Sequence, residues 1–340
     1  MATAAKGPIH VLVAMDFSDA VIEQLSAISE RLHIERIHPN VPDSAYEQVE
    51  VLYTARHYPT QSQAPNLRWV QIHSAGVERA LARPVFQNSG IKLTSASGIH
   101  AVQMSEYSLA VMLHFHYRFD EMIALKARST WPGNQYELFR PHGLRGLTLG
   151  VVGYGSIGRE LARMADALGM TVLATKRDVM HPAEEESYTQ PDTGDPEGNI
   201  PERLYPSEAL GSMVAECDFV VVTVPLTDAT ENMINADVLN KMKPTAVLIN
   251  VARGGVVDEA ALIEALKSGK IAGAGLDVFA EEPLPVSSPL WGLDNVLISP
   301  HVSGNSAIYH EKAAALFADN LQRYVSGKPL LNVVNRSEGY

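Results

Sequence analysis

Arg253, Glu282 and His301 have residue types and positions that suit hydride chemistry. Each follows a short apolar run that reads as a buried strand. AVLIN at 246–250 leads into Val251, Ala252 and Arg253; GAGLDV at 273–278 leads to Glu282; NVLIS at 295–299 leads to Pro300 and His301. In a doubly wound sheet, ligands bind beyond the carboxyl ends of the strands, so the three side chains should converge. Reducing a ketone builds negative charge on its oxygen, which calls for an electrostatic stabiliser and a proton donor. An arginine fork can polarise the carbonyl and hold a neighbouring carboxylate. An imidazole can deliver or accept the proton near neutrality, and Glu282 on its second nitrogen would orient the ring. Taken singly, each residue has a plainer role: Arg253 paired with Asp258, Glu282 as a solvated loop carboxylate, His301 as a core histidine.

The hydride donor has a candidate seat. Gly153-Tyr154-Gly155-Ser156-Ile157-Gly158 fits GxGxxG, follows the strand-like TLGVV and opens the helical SIGRELARMADALG. That context lets backbone N–H groups at a helix start cradle a dinucleotide diphosphate. The next strand, TVLAT at 171–175, should present an Asp or Glu to the ribose of NAD. Lys176 and Arg177 stand there instead and suit a 2′-phosphate, so NADP is expected over NAD. Asp178 would serve the ribose in a shifted register, and Glu184, Glu185 and Glu186 are near enough in sequence to neutralise the two cations.

The elements that position these groups alternate between short apolar strands and amphipathic helices, the pattern of an α/β fold with parallel sheets. Strands are expected at 9–14, 50–54, 68–72 and 91–94, with helices such as 19–31 between them. One long helix is expected from Ala101 to Lys126. A loop follows at 128–146, and a second strand series runs through 148–153, 171–175, 218–224, 246–250, 273–278 and 295–299. Residues 181–206, acidic and rich in Pro and Gly, read as a long surface insertion.

Composition narrows the field. The formal charge of −12 argues against a nucleic-acid partner, which needs a concentrated basic face. The single cysteine, Cys217 in ECDFVVV, reads as a small core residue and suits a reducing compartment. The N-terminus lacks a secretory pattern, the C-terminal NRSEGY is no evident targeting signal, and no apolar run approaches membrane length. A cytoplasmic protein without a metal site is expected.

NVARGGVVDEAAL, AGLDVFAEEPLP and NVLISPHVSG resemble the C-terminal signatures of the D-isomer-specific 2-hydroxyacid dehydrogenase family. LTLGVVGYGSIGRELA is similar to its cofactor loop, WVQIHSAGVERAL to its substrate loop, and DNLQRYVSGKPLLNVV to its chain ending. The resemblance implies Arg253, Glu282 and His301 as the catalytic trio, with N–H groups of Ala75, Gly76 and Val77 on the substrate carboxylate beside Arg253. Ser74 and His73 sit next to that loop. Val224, Pro225, Val251 and Ala252 would flank the cofactor. Asp277 would contact the nicotinamide carboxamide, or simply bond local backbone N–H groups.

The implied architecture is a central Rossmann cofactor domain, residues 102–301, and a flavodoxin-like substrate domain from residues 1–101 and 302–340. Their cleft would close by hinge motion. A homodimer is implied, with the 101–126 helix as a candidate contributor. The implied activity is reduction of a small 2-keto acid, glyoxylate or hydroxypyruvate, to a D-2-hydroxy acid. Alternatives are another 2-hydroxy acid such as D-lactate, or a dinucleotide-sensing corepressor. Glu282 stands where the family's formate dehydrogenases carry glutamine, and the chain stops before any regulatory domain of the longer phosphoglycerate dehydrogenases. The insertion, with TGDPEGNIP at 193–201, resembles a fungal and bacterial subgroup; it would either cover the adenosine end of the cofactor or be a tolerated loop.

Overall fold

The computed structural model describes residues 7–87, 90–184, 187–336 and 339. It separates into two compact units: Met1–Ile99 with Glu186–Thr189 and Ser306–Tyr340, and His100–Glu185 with Gln190–Asn305.

The first unit holds a parallel sheet of β1 (Ile9–Ala14), β2 (Leu32–Arg36), β3 (Val51–Thr54), β4 (Trp69–Ile72) and β5 (Lys92–Thr94). Their order, β2-β1-β3-β4-β5, is that of a flavodoxin-like fold. Alternate residues point to opposite faces. Val11, Val13, Val51, Tyr53 and Trp69 pack under Phe317 and Leu321 of the helix Tyr309–Val325, while Leu12, Leu52, Val70, Ile72 and Leu93 form the other core. β2 escapes sequence reasoning because LHIER sits at the sheet edge and buries only Leu32 fully. The helix expected over 19–31 ends at Ser26; Ser18 caps its start by accepting from the Val21 N–H.

The second unit holds seven parallel strands ordered β12-β11-β10-β9-β6-β7-β8. They are β6 (Thr148–Val152), β7 (Thr171–Thr175), β8 (Arg203–Tyr205), β9 (Phe219–Val222), β10 (Val247–Asn250), β11 (Gly273–Leu276) and β12 (Val296–Ile298). The strand order reverses between β6 and β9, the crevice where doubly wound sheets bind ligands. Apolar side chains on both faces explain the unbroken hydrophobic runs. β8 lies inside the stretch read as insertion, so its last residues belong to the sheet. Its signal is weak because of its three residues only Tyr205 is buried.

The expected helix from Ala101 to Lys126 is two helices, Ala101–Tyr117 and Phe119–Ala127. Arg118 breaks it in the left-handed conformation, φ 57°, and its N–H bonds back to His114 and Phe115. No glycine marks the break, which is why periodicity runs through it. Its guanidinium instead reaches the Leu138 carbonyl, 2.9 Å, and the Glu121 carboxylate, 2.6 Å.

Cys217 is fully buried against Gly150, and burial pushes its thiol up to about 12. Among the described residues no helix is long and apolar enough to cross a membrane.

Candidate active site

The glycine loop sits at the end of β6, beside the topological switch. Gly153 takes φ 104°, and a Cβ there would lie 2.6 Å from Val224 Cγ1. A Cβ on Gly158 would lie 2.4 Å from the Gly153 carbonyl, so the helix start can approach the strand only as glycine. A Cβ on Gly155 would meet nothing within 4 Å. The three glycines thus provide a turn, a close contact and an open face. Thr175 on β7 fixes the turn from below: its Oγ1 accepts from the Gly153 N–H, 3.0 Å, and its carbonyl from the Tyr154 N–H, 2.9 Å. Thr223 donates to the Gly153 carbonyl at 2.7 Å. Gly155 begins the helix Ser156–Ala167 without a side-chain cap, and a helix start leaves backbone N–H donors for an anion. These residues fit a dinucleotide diphosphate.

Register pairs Val152 with Thr175, which brings Lys176 level with Gly153. Among the described residues none pairs with the Lys176 ammonium. Asp178 does not face that position with a free carboxylate: Oδ2 pairs with His181 Nδ1 at 2.7 Å and Oδ1 accepts from the Met180 N–H at 3.0 Å. The His181 bond, first, lowers its pKa. Arg177 is exposed. Glu184 donates its N–H to Pro196, while Glu185 and Glu186 lie outside the described residues.

Arg253, Glu282 and His301 follow β10, β11 and β12, which are neighbours in the sheet and parallel. His301 Nδ1 lies 2.8 Å from Glu282 Oε2. The other carboxylate oxygen, Oε1, accepts from the Phe279 N–H at 3.1 Å, so the glutamate is held from two sides. With a carboxylate on Nδ1, the ring carries its proton there and leaves Nε2 as the outward edge. Arg253 comes from the same corner: a Cβ on Gly254 would fall 1.9 Å from the Phe279 carbonyl carbon, which shows how tightly the two turns abut. Asn250 donates to the Arg253 carbonyl, 3.0 Å, and the guanidinium reaches the Ala252 carbonyl, 2.8 Å. Asp258 caps the helix Glu259–Lys267 through the Ala261 N–H. Val251 and Ala252 are buried beside the arginine. Pro225 follows Val224, and its carbonyl accepts from Thr230 at 2.6 Å.

Within the first unit, the substrate-type loop follows β4. The Tyr53 hydroxyl lies 2.7 Å from His73 Nδ1 and Tyr309 donates to the His73 carbonyl, 2.5 Å. Ser74 Oγ donates to the Gly76 carbonyl at 2.7 Å. Among the described residues none accepts from the N–H groups of Ala75, Gly76 or Val77, which leaves three donors for an anion.

The NAD-binding-domain model of the D-isomer specific 2-hydroxyacid dehydrogenases matches residues 109–303. The chain belongs to that family. Glyoxylate reductase from Thermococcus litoralis is 35% identical over 285 residues, 80% of this chain and 78% of that protein. Glycerate dehydrogenase from Methylorubrum extorquens is 33% identical over 281 residues, 79% of this chain and 80% of that one. Among solved structures, a D-isomer specific 2-hydroxyacid dehydrogenase from Xanthobacter autotrophicus Py2, in complex with NADPH and MES, superposes with TM-score 0.78. It is 30% identical and covers 99% of this chain and 100% of that one.

In this family member Asp277 is the hub of the histidine turn. Fully buried, it accepts from the Val302 N–H (2.8 Å) and Ser299 Oγ (2.5 Å) on one oxygen and the Ser303 N–H (2.9 Å) on the other. Its carbonyl accepts from the His301 N–H at 2.9 Å. Those bonds hold His301 in the left-handed conformation, φ 55°, which costs a non-glycine residue about 1–2 kcal/mol. Tyr107 extends the hub, 2.5 Å from Ser299 Oγ. Sequence reasoning missed Thr175, Ser299 and Tyr107, since one threonine, serine or tyrosine carries no pattern until the fold places it.

Proposed function

We propose that this chain reduces small 2-keto acids of the glyoxylate and hydroxypyruvate type to D-2-hydroxy acids, preferring NADP over NAD. The observation that carries the reading is the Glu282–His301 pair at 2.8 Å, with the turn that leads to Glu282 packed against Arg253's own. The names of the relatives support the substrate class: glyoxylate reductase and glycerate dehydrogenase. Reduced nicotinamide, when bound, supplies a hydride to the keto carbon. Arg253 stabilises the charge that develops on the carbonyl oxygen. Nε2 of His301 then delivers the proton to that oxygen, while Glu282 holds the ring. Ala75, Gly76 and Val77 offer N–H donors to the substrate carboxylate, and Asp277 keeps the histidine turn in place.

The NADP preference is supported by Lys176 at the ribose position, by Asp178 being engaged with His181, and by the NADPH in the Xanthobacter structure. The first unit serves as the substrate domain and the second as the cofactor domain. A homodimer is supported by a run of exposed apolar residues, Tyr117, Phe119, Met122, Ile123, Trp131 and Tyr136, on the two consecutive helices and the segment after them, where the expected loop holds a short helix, Gln135–Leu138. A single cysteine, buried and unpaired, suits a reducing compartment such as the cytoplasm.

The test is steady-state oxidation of NADPH and NADH against a panel of 2-keto acids. Turnover should be fastest with glyoxylate or hydroxypyruvate and NADPH. Tight dinucleotide binding without turnover on any 2-keto acid would defeat the reading and point to a sensor.

A further inference from the structure

The segment that reads as a loose insertion is bolted to the glycine loop. Tyr154, the second residue of the GxGxxG turn, donates its hydroxyl to Asp195 Oδ2 at 2.6 Å. Asp195 is buried, and its carboxylate also accepts from the N–H groups of Gly198 (3.1 Å), Asn199 (3.3 Å) and Ile200 (3.1 Å). Two consecutive residues in the first turns of the loop's helix grip the same stretch. Arg159, 3% exposed, donates to the carbonyls of Asp195 and Pro182, and its guanidinium lies 4.7 Å from the Tyr154 ring centre. Glu160, 1% exposed, accepts from the Gly194 N–H at 2.6 Å and is paired on its other side with Arg163.

Buried charged side chains are costly unless paired or fully bonded, and a tolerated surface loop gives no reason to bury three of them. The Tyr154 hydroxyl and the Arg159 guanidinium tie the Asp195 stretch to the turn read above as the diphosphate cradle, and Glu160 pins its neighbour Gly194. We infer that Asp195 is a positioning residue for dinucleotide binding: through Tyr154 and Arg159 it sets the backbone of residues 153–158. The inference rests on the reading of that loop as the dinucleotide site.

Its action is on the part of the cofactor that NADPH and NADH share. Loss of the Asp195 contact therefore weakens both dinucleotides by the same factor, whereas a residue at the 2′-phosphate discriminates between them. The experiment measures Kd for NADPH and NADH, together with kcat and thermal midpoint, in wild type, Asp195→Asn and Tyr154→Phe. Tyr154→Phe keeps the ring in the core and removes only the hydroxyl, so it serves if Asp195→Asn does not fold. Each folded variant should raise both Kd values about tenfold, the size of one lost charge-assisted hydrogen bond, with kcat at saturating dinucleotide within about twofold of wild type. Folded variants with wild-type Kd values, or with a lowered midpoint as the sole change, would overturn the inference. Wild type that binds neither dinucleotide would instead refute the underlying site reading.

Discussion

At the level of single residues, the proposed chemistry depends on an imidazole whose two nitrogens have different duties. Nδ1 is committed to Glu282, so Nε2 is the edge that can exchange a proton with substrate. His301→Ala should lower kcat about a hundredfold to ten-thousandfold, the range of one general acid, while the Kd for NADPH stays within about twofold of wild type. Single-turnover kinetics with a dinucleotide titration checks this; a large loss of affinity would place His301 in binding rather than proton transfer. At the ribose end, Lys176→Ala with Arg177→Ala should weaken NADPH at least about tenfold more than NADH. Equal effects on both would remove the basis for an NADP preference. The placement of Arg253, Glu282, His301 and Lys176 just beyond strands was legible in the sequence because those strands are continuous apolar runs. Asp277 was legible only as a choice between two roles, and the structure shows local N–H groups filling its carboxylate.

At the scale of elements, the glycine loop separates folding from binding. Gly158→Ala must push a methyl into the Gly153 carbonyl, so the helix start shifts and both thermal stability and dinucleotide affinity should fall. Gly155→Ala meets open space within the chain. It should leave the thermal midpoint within about one degree, since surface changes away from special features are worth less than about 0.5 kcal/mol. Dinucleotide affinity should nevertheless drop at least about tenfold, because the methyl occupies the approach of the diphosphate. Calorimetry paired with fluorescence titration distinguishes the two; unchanged affinity in Gly155→Ala would mean the open face is not where the diphosphate lies. Elements with continuous apolar runs were readable in advance. β2 and β8 were not, because an edge strand satisfies half its backbone with solvent and needs few apolar side chains. The helix break at Arg118 was hidden for a different reason: a left-handed arginine leaves no compositional mark. Asp195 escaped notice because its surroundings, TGDPEGNIP, have the composition of a loop while its carboxylate is buried by long-range contacts.

At the scale of the whole molecule, the sequence carried the fold class and its two strand series, since apolar runs alternating with amphipathic helices are the pattern of parallel α/β sheets. Assembly is less directly written. The exposed aromatic and aliphatic side chains from Tyr117 to Tyr136 exceed what isolated surface residues need. Light scattering after gel filtration should give twice the chain mass, and Ile123→Glu with Trp131→Glu should shift it to one chain. A monomeric wild type would leave that surface without its proposed role. Stereospecific hydride transfer to a carbonyl beside a carboxylate leaves its record in the product. Hydroxypyruvate with NADPH deuterated at the transferable position should give D-glycerate carrying deuterium at C2. L-glycerate, or product without deuterium at that carbon, would contradict it.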